Sequence, residues 1–197
     1  MVLQEIFGVN AHIRAVTDGF AAQGYLAIAP GLFDRMRPGA DLGYTATDVN
    51  LGASFKAVIE ELPAPGVMQD IAAAIAAVAG AGKVGVIGYC WGGKLAWRAA
   101  CELPGVGAAV SYYGGGMTAE PELSKKPNCP VLAHFGETDH VIPMPGVEAF
   151  KAAHPEVEVH VYPAGHGFNC DQRPSYDEAA ANTARERTLA FFARHLA

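Results

Sequence analysis

Cys90 sits in the run Val84-Gly85-Val86-Ile87-Gly88-Tyr89-Cys90-Trp91-Gly92-Gly93, where an apolar stretch breaks into glycines around one cysteine and then resumes with helix-forming residues. The pattern predicts a strand, a sharp turn and a helix. A nucleophile elbow is built this way: the central residue occupies a strained turn, and glycines two positions to either side let the strand and helix backbones approach. Gly88 and Gly92 hold those positions. With cysteine in place of the usual serine, the candidate nucleophile is a thiolate, and the Trp91 N–H at the helix start would face a developing oxyanion. Taken alone, a structural cysteine buried in a glycine-rich turn would look the same. Gly80-Ala81-Gly82-Lys83-Val84-Gly85 also matches the dinucleotide fingerprint G-x-G-x-x-G, but it precedes the strand. Pyrophosphate binding needs the fingerprint to follow a strand and open a helix.

Two further residues stand where chemistry could use them. Asp139 lies in Phe135-Gly136-Glu137-Thr138-Asp139-His140, directly after an expected strand, and His166 lies in Pro163-Ala164-Gly165-His166-Gly167-Phe168, directly after another. Singly, an Asp after a strand is often a turn or cap residue, and a Gly-flanked His is often a surface loop residue. Together with Cys90 they follow the chain order nucleophile, acid, histidine, which is the order of α/β-hydrolases. His134, Asp139, His140 and His166 have metal-ligand composition but no helical His-x-x-x-His spacing, so no metal is expected. His12, His154, His160 and His195 read as surface or core histidines.

The elements that must position these groups follow from the apolar pattern. Val2–Gly8 begins as a strand, Asn10 caps a helix with Ile13, Val16 and Phe20 on one side, and Tyr25–Ala29 reads as a second strand closed by Pro30-Gly31. The polar segment from Phe33 to about Asn50 has no clear period and is expected to face the substrate as a loop or lid. Helices are expected over Leu51–Glu61 and Val67–Val78, then the elbow strand and a helix over Gly93–Leu103. Strands over Gly107–Tyr113, Pro130–Phe135 and Val157–Tyr162 alternate with a helix over Val147–Ala153, and a long helix over Ser175–Leu196 closes the chain. The alternation indicates one α/β domain over residues 1–197, with three layers, α/β/α, around a mostly parallel sheet. Reactive loops gather at the carboxyl ends of such strands.

Composition bounds the function. The chain has 197 residues, 51% hydrophobic and 17% charged, with a net charge of −6. That suits one sizeable core, and the scattered basic residues give no electrostatic footprint for nucleic acid or anionic membrane. The 4 cysteines show neither disulfide-framework density nor Cys-x-x-Cys spacing. They fit a reducing compartment, and with no leader-like or membrane-spanning run a cytoplasmic protein is expected.

The stretches Gln4-Glu5-Ile6-Phe7-Gly8, Gly24-Tyr25 with Ala29-Pro30, Gly88-Tyr89-Cys90-Trp91-Gly92-Gly93, Gly136-Glu137-Thr138-Asp139 and Gly165-His166-Gly167-Phe168 together resemble the dienelactone hydrolase (carboxymethylenebutenolidase) family of the α/β-hydrolases. The resemblance covers nearly the whole chain. It implies hydrolysis of an ester or enol-lactone through an acyl-cysteine, without cofactor. Cys90 would attack, His166 move protons and Asp139 orient it. Glu5 would meet the thiol in the resting site, and the N–H groups of Ile6 and Trp91 would form the oxyanion hole. The resemblance also points to Phe7, Phe168, Cys170 and Arg173 as substrate-binding positions. Two departures stand out. The family's further strands ahead of Gln4 are expected to be missing here, which would leave the edge of an inner Val2–Phe7 strand open to self-association. The family's two carboxylate-binding arginines are also absent: Cys170 stands at one position, and Gly43–Glu61 contains no arginine. Arg35, Arg37 or, best placed, Arg173 would have to substitute. Two other classes compete with a hydrolase. One is a thiol redox sensor pairing Cys90 with Cys170; the other is a non-catalytic binding protein on the same fold.

Overall fold

The structure, a computed structural model, describes residues 1–197 throughout. Five parallel strands form one sheet in the order β1-β2-β3-β4-β5: β1 (Val2–Leu3), β2 (Val84–Tyr89), β3 (Val106–Tyr112), β4 (Val131–Gly136) and β5 (Glu158–Tyr162). Seven-residue β3 lies at the centre, paired with β2 on one side and β4 on the other. The helices are α1 (Ala11–Ala21), α2 (Ala46–Glu60), α3 (Val67–Val78), α4 (Trp91–Glu102), α5 (Met144–Ala153) and α6 (Glu178–Leu196).

Alternation along β2 shows how the layers form, because successive side chains of a strand point to opposite faces. Val84 and Val86 join a core of 16 buried residues that includes Ile71 and Ile75 of α3 and Leu95 of α4. Ile87 and Tyr89 join a core of 27 buried residues that includes Ile13 of α1 and Phe191 and Phe192 of α6. On that second face Gly85 leaves room for α6, since a Cβ there would lie 2.7 Å from Leu196 and 3.0 Å from Phe192. The sheet is thus buried on both faces, as its near-continuous apolar strands require.

Three expectations need correction. The first strand is shorter than Val2–Phe7: only Val2 and Leu3 pair with β2, opposite Ile87 and Gly88. Gln4 then leaves the ladder, its Oε1 accepting from the Leu32 N–H at 3.1 Å. β1 is therefore an edge strand of the sheet, not an inner one. Tyr25–Ala29 is not a strand. It runs beside β1 but supplies a single backbone bond there, from the Val2 N–H to the Ile28 carbonyl at 2.8 Å, because a two-residue strand offers no longer ladder. Finally, α2 begins at Ala46 rather than Leu51, since Thr45 and Asp48 form a reciprocal capping box that starts the helix inside the polar segment. No helix is long and apolar enough to cross a membrane.

Candidate active site

The turn between β2 and α4 strains one residue and crowds its neighbours. Cys90 adopts φ 53°, ψ −116°, a region that L-residues rarely occupy. A Cβ on Gly88 would lie 1.9 Å from the Gly92 carbonyl oxygen, and one on Gly92 would lie 2.5 Å from the carbonyl oxygens of Leu3 and Gln4. Any side chain at either position would push the elbow apart. The second contact also seats the end of β1 against the start of α4, bringing Glu5 and Ile6 to the elbow. A Cβ on Gly52 would lie 2.2 Å from the Ile6 carbonyl oxygen, so α2 closes on the same segment.

Loops after β4 and β5 bring the other two residues in. The Glu137 N–H donates to the Tyr162 carbonyl at 2.7 Å and the Thr138 N–H to the Ala164 carbonyl at 3.1 Å, fastening one loop to the other. Asp139 Oδ1 accepts from the N–H groups of Val141 at 2.7 Å and Ile142 at 3.1 Å, leaving Oδ2 for His166 Nδ1 at 2.8 Å. His166 Nε2 is 3.1 Å from Cys90 Sγ. An unbroken hydrogen-bonded line therefore runs from carboxylate through imidazole to thiol. Burial pushes the Asp139 carboxyl up, but the bonds from His166 and the two N–H groups outweigh it and leave it below its ordinary value. Burial disfavours the His166 imidazolium as well, yet Asp139 and Cys90 on either side raise it to about 10.

Glu5 is fully buried. Its Oε1 accepts from Arg173 Nη1 at 3.3 Å, while Oε2 has no partner. The Arg173 guanidinium also lies over the rings of Phe7 at 5.8 Å and Tyr44 at 5.9 Å. A Cβ on Gly167, which has φ 81°, would lie 2.5 Å from Arg173 Nη1, so the glycine after His166 makes room for that arginine. The hydrogen bond of the Cys90 thiol is to His166, and that of Glu5 is to Arg173. The Trp91 N–H, at the first position of α4, has no intrahelical acceptor.

The open cleft at this place is lined by Phe7, Tyr44, Val49, His140, His166 and Arg173, among others. Phe7 and Arg173 are thus brought together, and Tyr44 and Val49 give the polar segment its face on the cleft. Phe168 and Cys170 are not at the surface: both are fully buried, Phe168 among Tyr112, Tyr113 and Tyr162. His134 is a core residue, with Nδ1 on the Tyr162 hydroxyl at 2.8 Å and Nε2 on the Thr188 hydroxyl at 3.0 Å, so the His134–Asp139–His140–His166 set does not assemble. Sequence reasoning missed three residues here. Tyr113, at φ 37° with a buried, partnerless hydroxyl, packs edge-on to His166 at 5.2 Å. Tyr44 rests on Phe7 at 4.6 Å, and His12 is buried against Tyr89 at 6.1 Å. None has a local signature; a non-glycine residue ahead of Gly114-Gly115-Gly116 was the one hint at Tyr113.

A parallel sheet buried on both faces, with a strained residue between strand and helix and an acid and a histidine on later strand ends, defines the α/β-hydrolase class of fold. Within that class the chain belongs to the dienelactone hydrolase family, whose model it matches over residues 1–196. It is similar to the carboxymethylenebutenolidase of Pseudomonas putida, 37% identical over 204 residues and covering 98% of this chain and 84% of the relative. A Synechocystis relative named "Putative carboxymethylenebutenolidase" is 37% identical over 214 residues, covering 100% of this chain and 85% of its own. Among solved structures, the "Putative Dienelactone Hydrolase" of Klebsiella pneumoniae superposes with a TM-score of 0.79 at 35% identity, over 98% of this chain and 85% of that one. The protein is accordingly a member of a hydrolase family.

Proposed function

We propose that the protein hydrolyses carboxylic esters or enol-lactones through an acyl-cysteine, with Cys90, His166 and Asp139 as a catalytic triad. The observation that carries this reading is the line of hydrogen bonds Asp139–His166–Cys90, ending on a thiol held at a strained elbow. Cys90 Sγ attacks the substrate carbonyl carbon. The N–H groups of Trp91 and Ile6 receive the oxyanion. His166, oriented by Asp139, carries the proton to the leaving alcohol or enol oxygen, then removes one from the water that attacks the thioester. Glu5 is the carboxylate available to take the thiol proton when its hold on Arg173 loosens. Phe7, Tyr44 and Val49 line the acyl-binding cleft, with Arg173 at its floor.

The test is turnover of p-nitrophenyl acetate and of a lactone panel by the purified protein. Cys90→Ala and His166→Ala should each lower kcat by about 10⁴-fold while circular dichroism and melting stay near those of the parent. Near-parental activity in either variant would rule the mechanism out.

A further inference from the structure

Around Glu5, three buried residues of different chemistry converge. One ligand atom each from Glu5, His12 and Cys170 lies within 4.8 Å of the others. All three side chains are buried, Glu5 and Cys170 completely and His12 with 4% exposed. The mechanism above uses Glu5 but neither His12 nor Cys170, so a metal held here would withdraw Glu5 from the thiol proton.

Two polar atoms of this cluster are left without partners. Glu5 Oε2 and His12 Nε2 are each buried and make no hydrogen bond. Burying such atoms unpaired is costly, and native structures do so sparingly. On their far sides both residues are held as metal ligands usually are. His12 Nδ1 faces the Asp171 carboxylate at 3.6 Å, and Glu5 Oε1 accepts from Arg173. Outer partners of that kind orient a ligand's remaining atom.

We propose that Glu5, His12 and Cys170 form a three-ligand binding site for a zinc-type divalent cation. A carboxylate, an imidazole and a thiolate suit zinc and exclude the hard cations magnesium and calcium, which take oxygen ligands. Tetrahedral zinc needs its donors roughly 3.5 Å apart, so side-chain rotations of about an ångström complete the geometry. Binding replaces the Cys170 S–H proton with the metal and releases that proton to solvent. His12 and Asp171 also line a surface cleft with Asn169 and Tyr89, which puts the outer side of the cluster next to solvent.

The test uses the full chain, stripped with chelator and titrated with Co²⁺ and then Zn²⁺. Cys90→Ala serves as the background, so that metal held by Cys90 and His166 is not counted. One Co²⁺ should bind per chain with a thiolate-to-cobalt charge-transfer band and tetrahedral d–d absorption, and Zn²⁺ should displace it and raise the melting temperature. Adding Cys170→Ser should abolish the charge-transfer band, and adding His12→Gln should weaken binding by about tenfold or more. His12→Gln carries the test if the serine variant does not fold. Absence of stoichiometric binding in the folded Cys90→Ala protein, or a charge-transfer band unchanged by Cys170→Ser, would overturn the proposal.

Discussion

His166 and Asp139 hold each other in their charged forms, and the pH dependence of stability follows from that. The imidazole is raised to about 10 in the folded state against roughly 6.5 unfolded, so its contribution is complete below the unfolded value and is lost as pH climbs through 10. Asp139 is shifted the other way. Its contribution is present above an unfolded value of about 3.9 and is lost as pH falls through its lower folded value. The melting-temperature difference between parent and His166→Gln should therefore be largest between about pH 4 and pH 6.5 and shrink towards both extremes; a difference independent of pH would refute this account. Arg173 supports a second residue-scale prediction. Its charge is already engaged by buried Glu5, so it adds little net attraction for an anion. Neutral esters or lactones should show kcat/KM values at least equal to those of carboxylate-bearing analogues, and a tenfold or greater preference for the anion would contradict that. Cys170 cannot take an arginine's place in the cleft, because it lies buried behind Glu5. The convergence of Cys90, Asp139 and His166 was legible because local motifs enforce it: each sits near a glycine that the backbone needs. Tyr44, Tyr113 and His12 were not legible, since only tertiary packing brings them to Glu5 and His166.

Among the elements, those with sharp local grammar could be read and those defined by partners could not. The elbow strand and α4 fall where the glycines predict, and Val67–Val78 matches α3 in full. Tyr25–Ala29 has a strand's composition, but a strand exists only through its ladder, and two-residue β1 provides almost none. The start of α2 was hidden in polar residues, although Thr45-x-x-Asp48 was there to be seen as a capping box. Thr45→Ala should cost about 1 kcal/mol in stability, the ordinary worth of such a cap. Gly88→Ala should be far worse, because its Cβ would sit 1.9 Å from a backbone oxygen that cannot move without α4. Urea midpoints of the two variants measure the contrast, and similar values would show that the elbow is softer than its contacts indicate.

For the molecule as a whole, both cores rest on one sheet, so they should fail together. Val86 faces the smaller core and its neighbour Ile87 the larger. Ile87→Ala should cost about 2–5 kcal/mol and Val86→Ala somewhat less, each moving the whole unfolding transition. Far-ultraviolet dichroism and tryptophan fluorescence should trace one curve in either variant; separated curves would mean that the layers unfold independently. The domain's layered α/β architecture was legible from alternation and the open edge of the first strand from the family resemblance, whereas strand order was not, because it depends on pairings that no single segment encodes.

The ion pair between Glu5 and Arg173 joins residues 168 positions apart. During synthesis this sets a timetable. The elbow, β3 and β4 are all synthesised before the segment after β5, and until that segment is in place Glu5 lacks the Arg173 counter-charge and Cys90 its histidine. The elbow cysteine therefore precedes, on the growing chain, the histidine that its thiol faces in the finished fold. The Asp139–His166–Cys90 line closes only with the last strand and the loop that follows it.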